Sequence, residues 1–559
     1  MVHADSPANS PTHSQKAQSR QTVLEQVKAL LIQLLRRSQG FIAAQTLPHL
    51  ADRTCRVYLG KAHQVHQARC RRILRSQLTL DPNQLGYFLG TSIGDTILSW
   101  FERFFRLPAS PDRVTQKHLL KNLLIQMAED PEGLSLPSFM RHFPGALQFN
   151  LEQLLLTAGQ VEQLIKETEA ALTTLQDLAA AERMIDPPPA FSQGPDLQKP
   201  GAFEVVQHLL VLEDEEGADN SKPSSRRIRV RCYQPHPWPA QSVPVVIQSH
   251  GLASGPEDLE GYAQHLASHG YFVAAPWHTG SDAQQVRSLL EGKSQDLFEA
   301  QEFIDRPLDV SRLLDGLEQR NSTDFGGLLN LRAVGVMGYS FGAYTAFALA
   351  GATIDFEALE TACHLPWREP NLSLLLQCQA LGLPHSHYPL RDQRIQAIVS
   401  LDAVGSEVFG MQGMEQVQIP TLLLASSHDV AAPLVCEQIR LFQGLVNSHC
   451  YLGVMQGKTH IRNLQRLTES LNLRLKILPQ SVETCCETPF DQYINALSVV
   501  FFNQHLTHNP KGLPQLTADY AAYLSQAPFE LWLVSSTSSR TLGERLGGET
   551  RGGGNVEEL

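Results

Sequence analysis

From residue 203 onward, short apolar runs alternate with segments long enough for helices, and this alternation restricts the chain more than any other feature. Val243 to Ile247, Tyr271 to Ala275, Ala333 to Met337, Ile395 to Leu401, Thr421 to Ala425 and Cys450 to Met455 read as buried strands. Strands separated by helix-length text predict a mostly parallel sheet with helices on both faces, the α/β class. Phe203 to Leu212 and Arg227 to Cys232 flank the polar turn Asp214 to Ser225 and read as an antiparallel pair.

The preceding text has a different period. Val27, Leu30, Leu31, Leu34 and Leu35 form one helical stripe, and Val161, Leu164, Ile165, Leu172, Leu175 and Leu178 form another. Residues 21–185 therefore read as an all-helical domain. Leu80-Asp81-Pro82-Asn83 carries helix-start chemistry, because Asp accepts from orphan amides and Pro fits the first turn. Residues 1–20, rich in Ser, Gln, Pro and Ala, read as a disordered tail. Residues 186–200, with Pro187-Pro188-Pro189, read as a linker. Residues 201–510 form the α/β domain, and 511–559 a C-terminal extension expected to be mobile from about 540, ahead of Gly552-Gly553-Gly554.

Hydrophobic residues make up 42% and charged residues 18%, enough apolar material for a core and too little charge for a mainly disordered chain. Acidic residues, 57, outnumber the 45 basic ones, which argues against nucleic acid as a partner. Nine cysteines without repeating spacing predict no disulfide framework or zinc cassette and favour a reducing compartment. No run of about 18 apolar residues occurs, and Met1 to Arg20 lacks an apolar export segment, so no transmembrane helix and a cytoplasmic location are expected.

The sharpest chemical signal is Gly338-Tyr339-Ser340-Phe341-Gly342, directly after the strand ending at Met337 and before the small-residue run Ala343 to Ala350. A serine hydroxyl becomes a nucleophile when it is exposed on a tight strand-to-helix turn beside a base and anion donors. Such a turn crowds its neighbours and requires small flanks, here Gly338 and Gly342. The amide of Phe341 is one expected oxyanion donor, and the amide of Leu252, in Ser249-His250-Gly251-Leu252 after an earlier strand, is the other. The base is expected at the end of a later strand, where Gln456-Gly457-Lys458-Thr459-His460 supplies His460. Two acids compete to orient it: Asp429, favoured by the usual strand order, and Asp402, after the strand before. His250 and His278 are read as shaping the site without exchanging protons. Trp277, Phe341 and Tyr344 are candidates for the substrate's acyl-binding wall, with core packing the equal alternative. Asp309 reads as a helix-start acid paired with Arg306.

Ser249-His250-Gly251-Leu252, then Leu266-Ala267-Ser268-His269-Gly270-Tyr271-Phe272-Val273-Ala274-Ala275, and Gly338-Tyr339-Ser340-Phe341-Gly342 together resemble the platelet-activating-factor acetylhydrolase and dienelactone-hydrolase-like branch of the α/β-hydrolases, over roughly residues 200 to 510. The resemblance implies an α/β-hydrolase fold with an N-terminal all-α domain. In the acetylhydrolases the acid follows the earlier strand, which favours Asp402. In related cutinase-like enzymes it lies in a motif like Asp429-Val430-Ala431-Ala432-Pro433. Dienelactone hydrolases proper use cysteine where this chain has Ser340, so their lactone chemistry is not implied. Leu78 to Phe149 resembles an uncharacterised helical domain found ahead of such hydrolases in cyanobacterial proteins.

The expected activity is hydrolysis of a carboxylic ester with a short or medium acyl chain, from a small molecule or a lipid, without cofactor or metal. The competing class is a non-catalytic binding or scaffold protein using the helical domain as its interaction module. Gly86, Gly90 and Gly94 recur without the Gly-Lys-Ser/Thr of a phosphate loop. His63, His66 and Cys70 lack a fourth metal ligand, and Cys485 and Cys486 read as packing residues. The insertion 353–391 reads as either a lid or a packed helix pair.

Overall fold

The computed structural model describes residues 80–106, 113–130, 133–134, 138, 142, 148–183, 191–212, 227–240, 242–364, 370–460, 488–507 and 515–550. The expectations placed on residues 1–20, on Val27 to Leu35, on His63, His66 and Cys70, and on Cys485, Cys486 and the triple glycine lie outside them.

The described chain begins with helices α1 (Pro82–Phe88) and α2 (Ser92–Phe101), strand β1 (Phe105–Arg106), helix α3 (Arg113–Glu129), strand β2 (Gln148–Phe149) and helix α4 (Leu151–Glu182). Asp81 caps α1 by accepting from the amides of Asn83 and Gln84, with Pro82 in the first turn, as its sequence requires. A Cβ added to Gly94 would lie 2.2 Å from the carbonyl oxygen of Phe88, so close packing of α2 on α1 accounts for that glycine. β1 and β2 pair antiparallel, a small ladder within the region expected to be all-helical. Of the described residues, Ile97–Ala158 belong to one compact unit, and Leu80–Thr96 with the chain from Gly159 onward belong to a second. That division differs from the boundary expected near residue 185, because the apolar positions Ala171, Leu175 and Ala179 of α4 are buried within the second unit.

The second unit holds a nine-stranded sheet: β3 (Glu204–Leu212), β4 (Ile228–His236), β5 (Val243–Ser249), β6 (Phe272–Pro276), β7 (Leu329–Tyr339), β8 (Ile395–Leu401), β9 (Thr421–Ser426), β10 (Cys450–Met455) and β11 (Leu531–Ser535). Their order across the sheet is β11-β10-β9-β8-β7-β5-β6-β4-β3. The run from β6 to β10 is parallel, while β3, β4 and β11 pair antiparallel at the two margins. The central strands are continuous Val, Ile and Leu text because both of their faces are covered. The helices of the unit include α5 (Glu260–Ser268), α6 (Ala283–Leu290), α7 (Glu302–Asp324), α8 (Phe341–Ala350), α9 (Phe356–His364), α10 (Leu374–Gln377), α11 (Ser406–Met414), α12 (Pro489–Phe502), α13 (Ala518–Leu524) and α14 (Ser539–Thr550), with a short helical turn at Arg440–Gly444. Val246, Val273, Met337, Val399 and Leu424 face one continuous core with α5, α12 and α13.

From β5 the chain passes first to β6 on one side and then to β7 on the other, so the order reverses between β5 and β7. A parallel sheet leaves a crevice at the carboxyl ends of its strands at such a reversal. Ser249, the last residue of β5, and Gly338, the last but one of β7, are partners there.

Near the expected start of the mobile extension, Ser539–Thr550 form α14, on which Leu542 is fully buried. One expectation is corrected. The cysteines are not all free, since Cys363 and Cys378 form a disulfide within the insertion, joining α9 to the end of α10. Their separation of 15 residues has no motif-like regularity, which hid the pair from a reading of spacings. The insertion is further held by the buried Glu437. One of its oxygens accepts from Asn371 at 2.8 Å, Ser373 at 2.5 Å and Gln377 at 2.7 Å, and the other from the amides of Gly405 and Ser406 at 3.0 Å. This anchoring supports the packed helix pair over the lid.

Candidate active site

Ser340 stands between the end of β7 and the start of α8 with φ 53° and ψ −115°. A non-glycine residue at positive φ costs on the order of 1–3 kcal/mol, and the surroundings must hold it. The Ser340 amide donates to the carbonyl of Leu401 at 2.9 Å, and the Ser340 carbonyl accepts from Ala343 at 2.9 Å. The flanking glycines are required by backbone contacts. A Cβ at Gly338 would lie 2.2 Å from the Gly342 oxygen, and one at Gly342 would lie 1.9 Å from the Ser249 oxygen. Among the described residues the other non-glycine positions at positive φ are Ala253, after β5, and Asp402, after β8.

The hydroxyl of Ser340 lies 3.0 Å from His460 Nε2, and His460 Nδ1 lies 2.6 Å from Asp429 Oδ2. An ionised carboxylate only accepts, so Nδ1 carries the proton and Nε2 is left to receive one from Ser340. The second oxygen of Asp429 accepts from the amides of Ala431 and Ala432, both at 2.8 Å, which fixes the carboxylate's plane. Burial, reinforced by the neighbouring Asp402, raises the Asp429 pKa, and the hydrogen bond from His460 opposes the rise. Asp402 has other partners: Lys458 Nζ at 2.6 Å and the amide of Ser426 at 2.8 Å. Donor atoms of Asp402, Asp429 and His460 lie within 4.8 Å of one another, a spacing that would suit a cation. The imidazole proton between His460 and Asp429 and the ammonium of Lys458 already occupy those atoms.

On the other wall, Gly251 approaches the elbow closely: a Cβ there would sit 3.4 Å from the Ser340 Cβ. No hydrogen bond within the described chain takes up the amide of Leu252 or of Phe341. The Phe341 amide also opens α8, where the helix dipole favours negative charge. His250 is buried, accepts at Nε2 from the His278 amide at 3.1 Å and donates from Nδ1 to the Gly251 carbonyl at 2.8 Å. Burial, with the nearby Arg306 charge, lowers its pKa to about 3, so it stays neutral.

A family model described as an alpha/beta hydrolase of unknown function (DUF1400) matches residues 48–150, a stretch that ends before the first strand of the large sheet. No curated protein matches the chain. The sheet order, the crossing helices and the strained turn after β7 agree with that description. The fold is an α/β-hydrolase fold. No helix among the described residues is long and apolar enough to cross a membrane.

Within this hydrolase fold the remaining candidates fall in different places. Tyr344 is fully buried, donates its hydroxyl to the Phe303 carbonyl at 3.0 Å and stacks on Phe409. Burial raises its phenol pKa, and the residue is part of the core. The Phe341 side chain is buried in the same aromatic cluster. His250 and Tyr344 thus have their polar atoms satisfied inside the protein and present none to a substrate. Trp277 lies against the guanidiniums of Arg229 and Arg231, at 4.7 and 5.3 Å from the ring centre, which is contact with β4. Asp309 is not a helix-start acid, for it lies in the interior of α7 beside Arg312 and His278.

Three residues named in the sequence had no role assigned at the site. Tyr339 donates its hydroxyl to the His460 carbonyl at 2.6 Å, and Lys458 holds Asp402. Arg306, wholly buried, binds the carbonyl of His250 at 2.8 Å. Tyr339 and Lys458 sit inside motifs that were recognised, so position was a signal, but only the fold reveals their partners.

Proposed function

We propose that the protein is a serine hydrolase of carboxylic esters with short or medium acyl chains, in which Ser340, His460 and Asp429 form the catalytic triad. The observation that carries this is the continuous hydrogen-bonded path from Ser340 through His460 to Asp429, beneath a serine held in a strained backbone conformation. In the reaction, the Ser340 hydroxyl transfers its proton to His460 Nε2 as Oγ bonds to the ester carbonyl carbon. The resulting oxyanion is received by the amides of Leu252 and Phe341. His460 then protonates the departing alkoxide, leaving the acyl group on Ser340. A water molecule, giving its proton to His460, attacks that acyl-enzyme and releases the acid while Ser340 regains its proton. Asp429 holds the imidazole in the tautomer that can begin the cycle and stabilises the imidazolium.

We assign the chain to the branch resembling the platelet-activating-factor acetylhydrolases and dienelactone hydrolases, with the acid at the strand end used in cutinase-like relatives. The region before the sheet is taken as the accompanying helical domain. A non-catalytic scaffold would have no use for the strain at Ser340 or for the ordered proton path behind it. The test is turnover of p-nitrophenyl esters from acetate upward by the full chain. Ser340→Ala is expected to reduce kcat by about 10⁴-fold or more and to abolish labelling by a fluorophosphonate. Equal turnover by the two proteins would remove the proposal.

A further inference from the structure

Behind the loop carrying Leu252 lies a guanidinium with no solvent exposure. Arg306, in the second turn of α7, donates through Nη1 to the His250 carbonyl at 2.8 Å and through Nη2 to the Gly251 carbonyl at 3.3 Å. Its Nε donates to Ser281 Oγ at 2.8 Å, and that hydroxyl donates to the buried Glu302 at 2.6 Å. The carbon of the guanidinium stands 4.3 Å from the centre of the Phe341 ring.

The direction of the Gly251 carbonyl determines that of the next amide. In a trans peptide the C=O and N–H of one unit point in opposite directions, and the Gly251–Leu252 bond is trans. With its oxygen held by Arg306 and by His250 Nδ1, the peptide turns the Leu252 N–H away from α7. Gly251 itself lies beside the elbow, where a Cβ would meet the Tyr339 ring at 3.1 Å and the Ser340 Cβ at 3.4 Å. A charged donor on the carbonyl also polarises the peptide and strengthens its N–H as a donor. The same guanidinium lies over the side chain of the residue supplying the other amide.

Resting on the serine-esterase reading above, we propose that Arg306 is the positioning residue of the oxyanion site: it orients and polarises the Leu252 amide and braces Phe341, without touching substrate. Ser281 and Glu302 hold it in place. Loss of the guanidinium removes stabilisation from the tetrahedral intermediate and leaves ester binding in the ground state nearly as it was.

The experiment compares wild type, Ser340→Ala, Arg306→Lys, Arg306→Met and Ser281→Ala in the full chain. It measures kcat and KM on a p-nitrophenyl ester and the inhibition constant of a trifluoromethyl ketone, whose hemiketal oxyanion needs the same amides. For Arg306→Met, kcat is expected to fall by about 10²–10³-fold, the scale of a lost oxyanion donor. KM should change by less than about 3-fold, and ketone affinity should fall in parallel with kcat. Arg306→Lys should recover part of both losses, since an ammonium supplies donors and charge without the fork. Ser281→Ala, which removes one hydrogen bond to Arg306, should lose about 10-fold in kcat and in ketone affinity together. If the Arg306 variants do not fold, Ser281→Ala alone decides by the same criterion. A kcat loss without a matching loss of ketone affinity, or unchanged kcat in folded variants, overturns the inference. Wild-type turnover that survives Ser340→Ala overturns the esterase reading instead.

Discussion

Asp402 and Asp429 end adjacent strands beside one imidazole, and their partners divide the work between them. Asp429 accepts from His460 and from two backbone amides, whereas Asp402 is taken by Lys458 and the Ser426 amide. Asp429→Asn is therefore expected to lower kcat by about 10⁴-fold, as when a triad imidazole loses its correct tautomer. Asp402→Asn should cost less than about 10-fold. Steady-state kinetics of the two variants check this, and equal effects would contradict the assignment of the acid. The sequence could not separate the two, because each follows an apolar strand in a short polar loop. What distinguishes them is a lysine 56 positions beyond Asp402, brought beside it by the order of β8, β9 and β10.

At the level of elements, the strand-turn-helix from β7 to α8 depends on the absence of two side chains. Gly342→Ala places a methyl group 1.9 Å from the Ser249 backbone oxygen, a contact that only displacement of β5 or α8 relieves. The variant is expected to lose at least about 2 kcal/mol of stability, at the upper end of ordinary overpacking costs, together with most of its turnover, as read by denaturant titration and ester assay. The pattern Gly338-Tyr339-Ser340-Phe341-Gly342 was legible because the steric demand is local. The insertion was not legible, since its anchors, Glu437 and the Cys363–Cys378 disulfide, join residues whose proximity arises from packing. Closing a 15-residue loop stabilises by about 3 kcal/mol in the chain-entropy account. Cys363→Ser should lower the melting temperature measurably, and a reductant should lower that of the wild type to the same value while leaving the variant unchanged. Thiol alkylation under denaturing conditions without reductant should leave Cys363 and Cys378 unlabelled in the wild type.

For the molecule as a whole, buried imidazoles make stability depend on pH. Burial, helped by Arg306, lowers the His250 pKa to about 3, and burial, helped by His269, lowers that of His265 to about 4. Between those values and about 6.5 the unfolded chain binds protons that the folded chain refuses. Their contribution is complete above about pH 6.5 and is lost as the pH falls towards 4, at up to about 1.4 kcal/mol per pH unit for each histidine. Asp429, raised by burial, acts in the opposite sense across the carboxylate range. Urea midpoints measured at pH 7.5, 6 and 5 should decline in that order, and a flat series would contradict the burial of these rings.

The sequence by itself determined the class of the sheet, the elbow at Ser340 and the histidine to which it points, because those follow from local period, local sterics and strand ends. Only the tertiary structure decided which carboxylate meets His460, that Tyr344 and His250 are enclosed, that Ser539–Thr550 form a helix, and that Arg306 stands behind the Gly251 carbonyl. Each of these is a contact between residues distant in the chain, and such contacts are selected by the order of strands and the packing of helices.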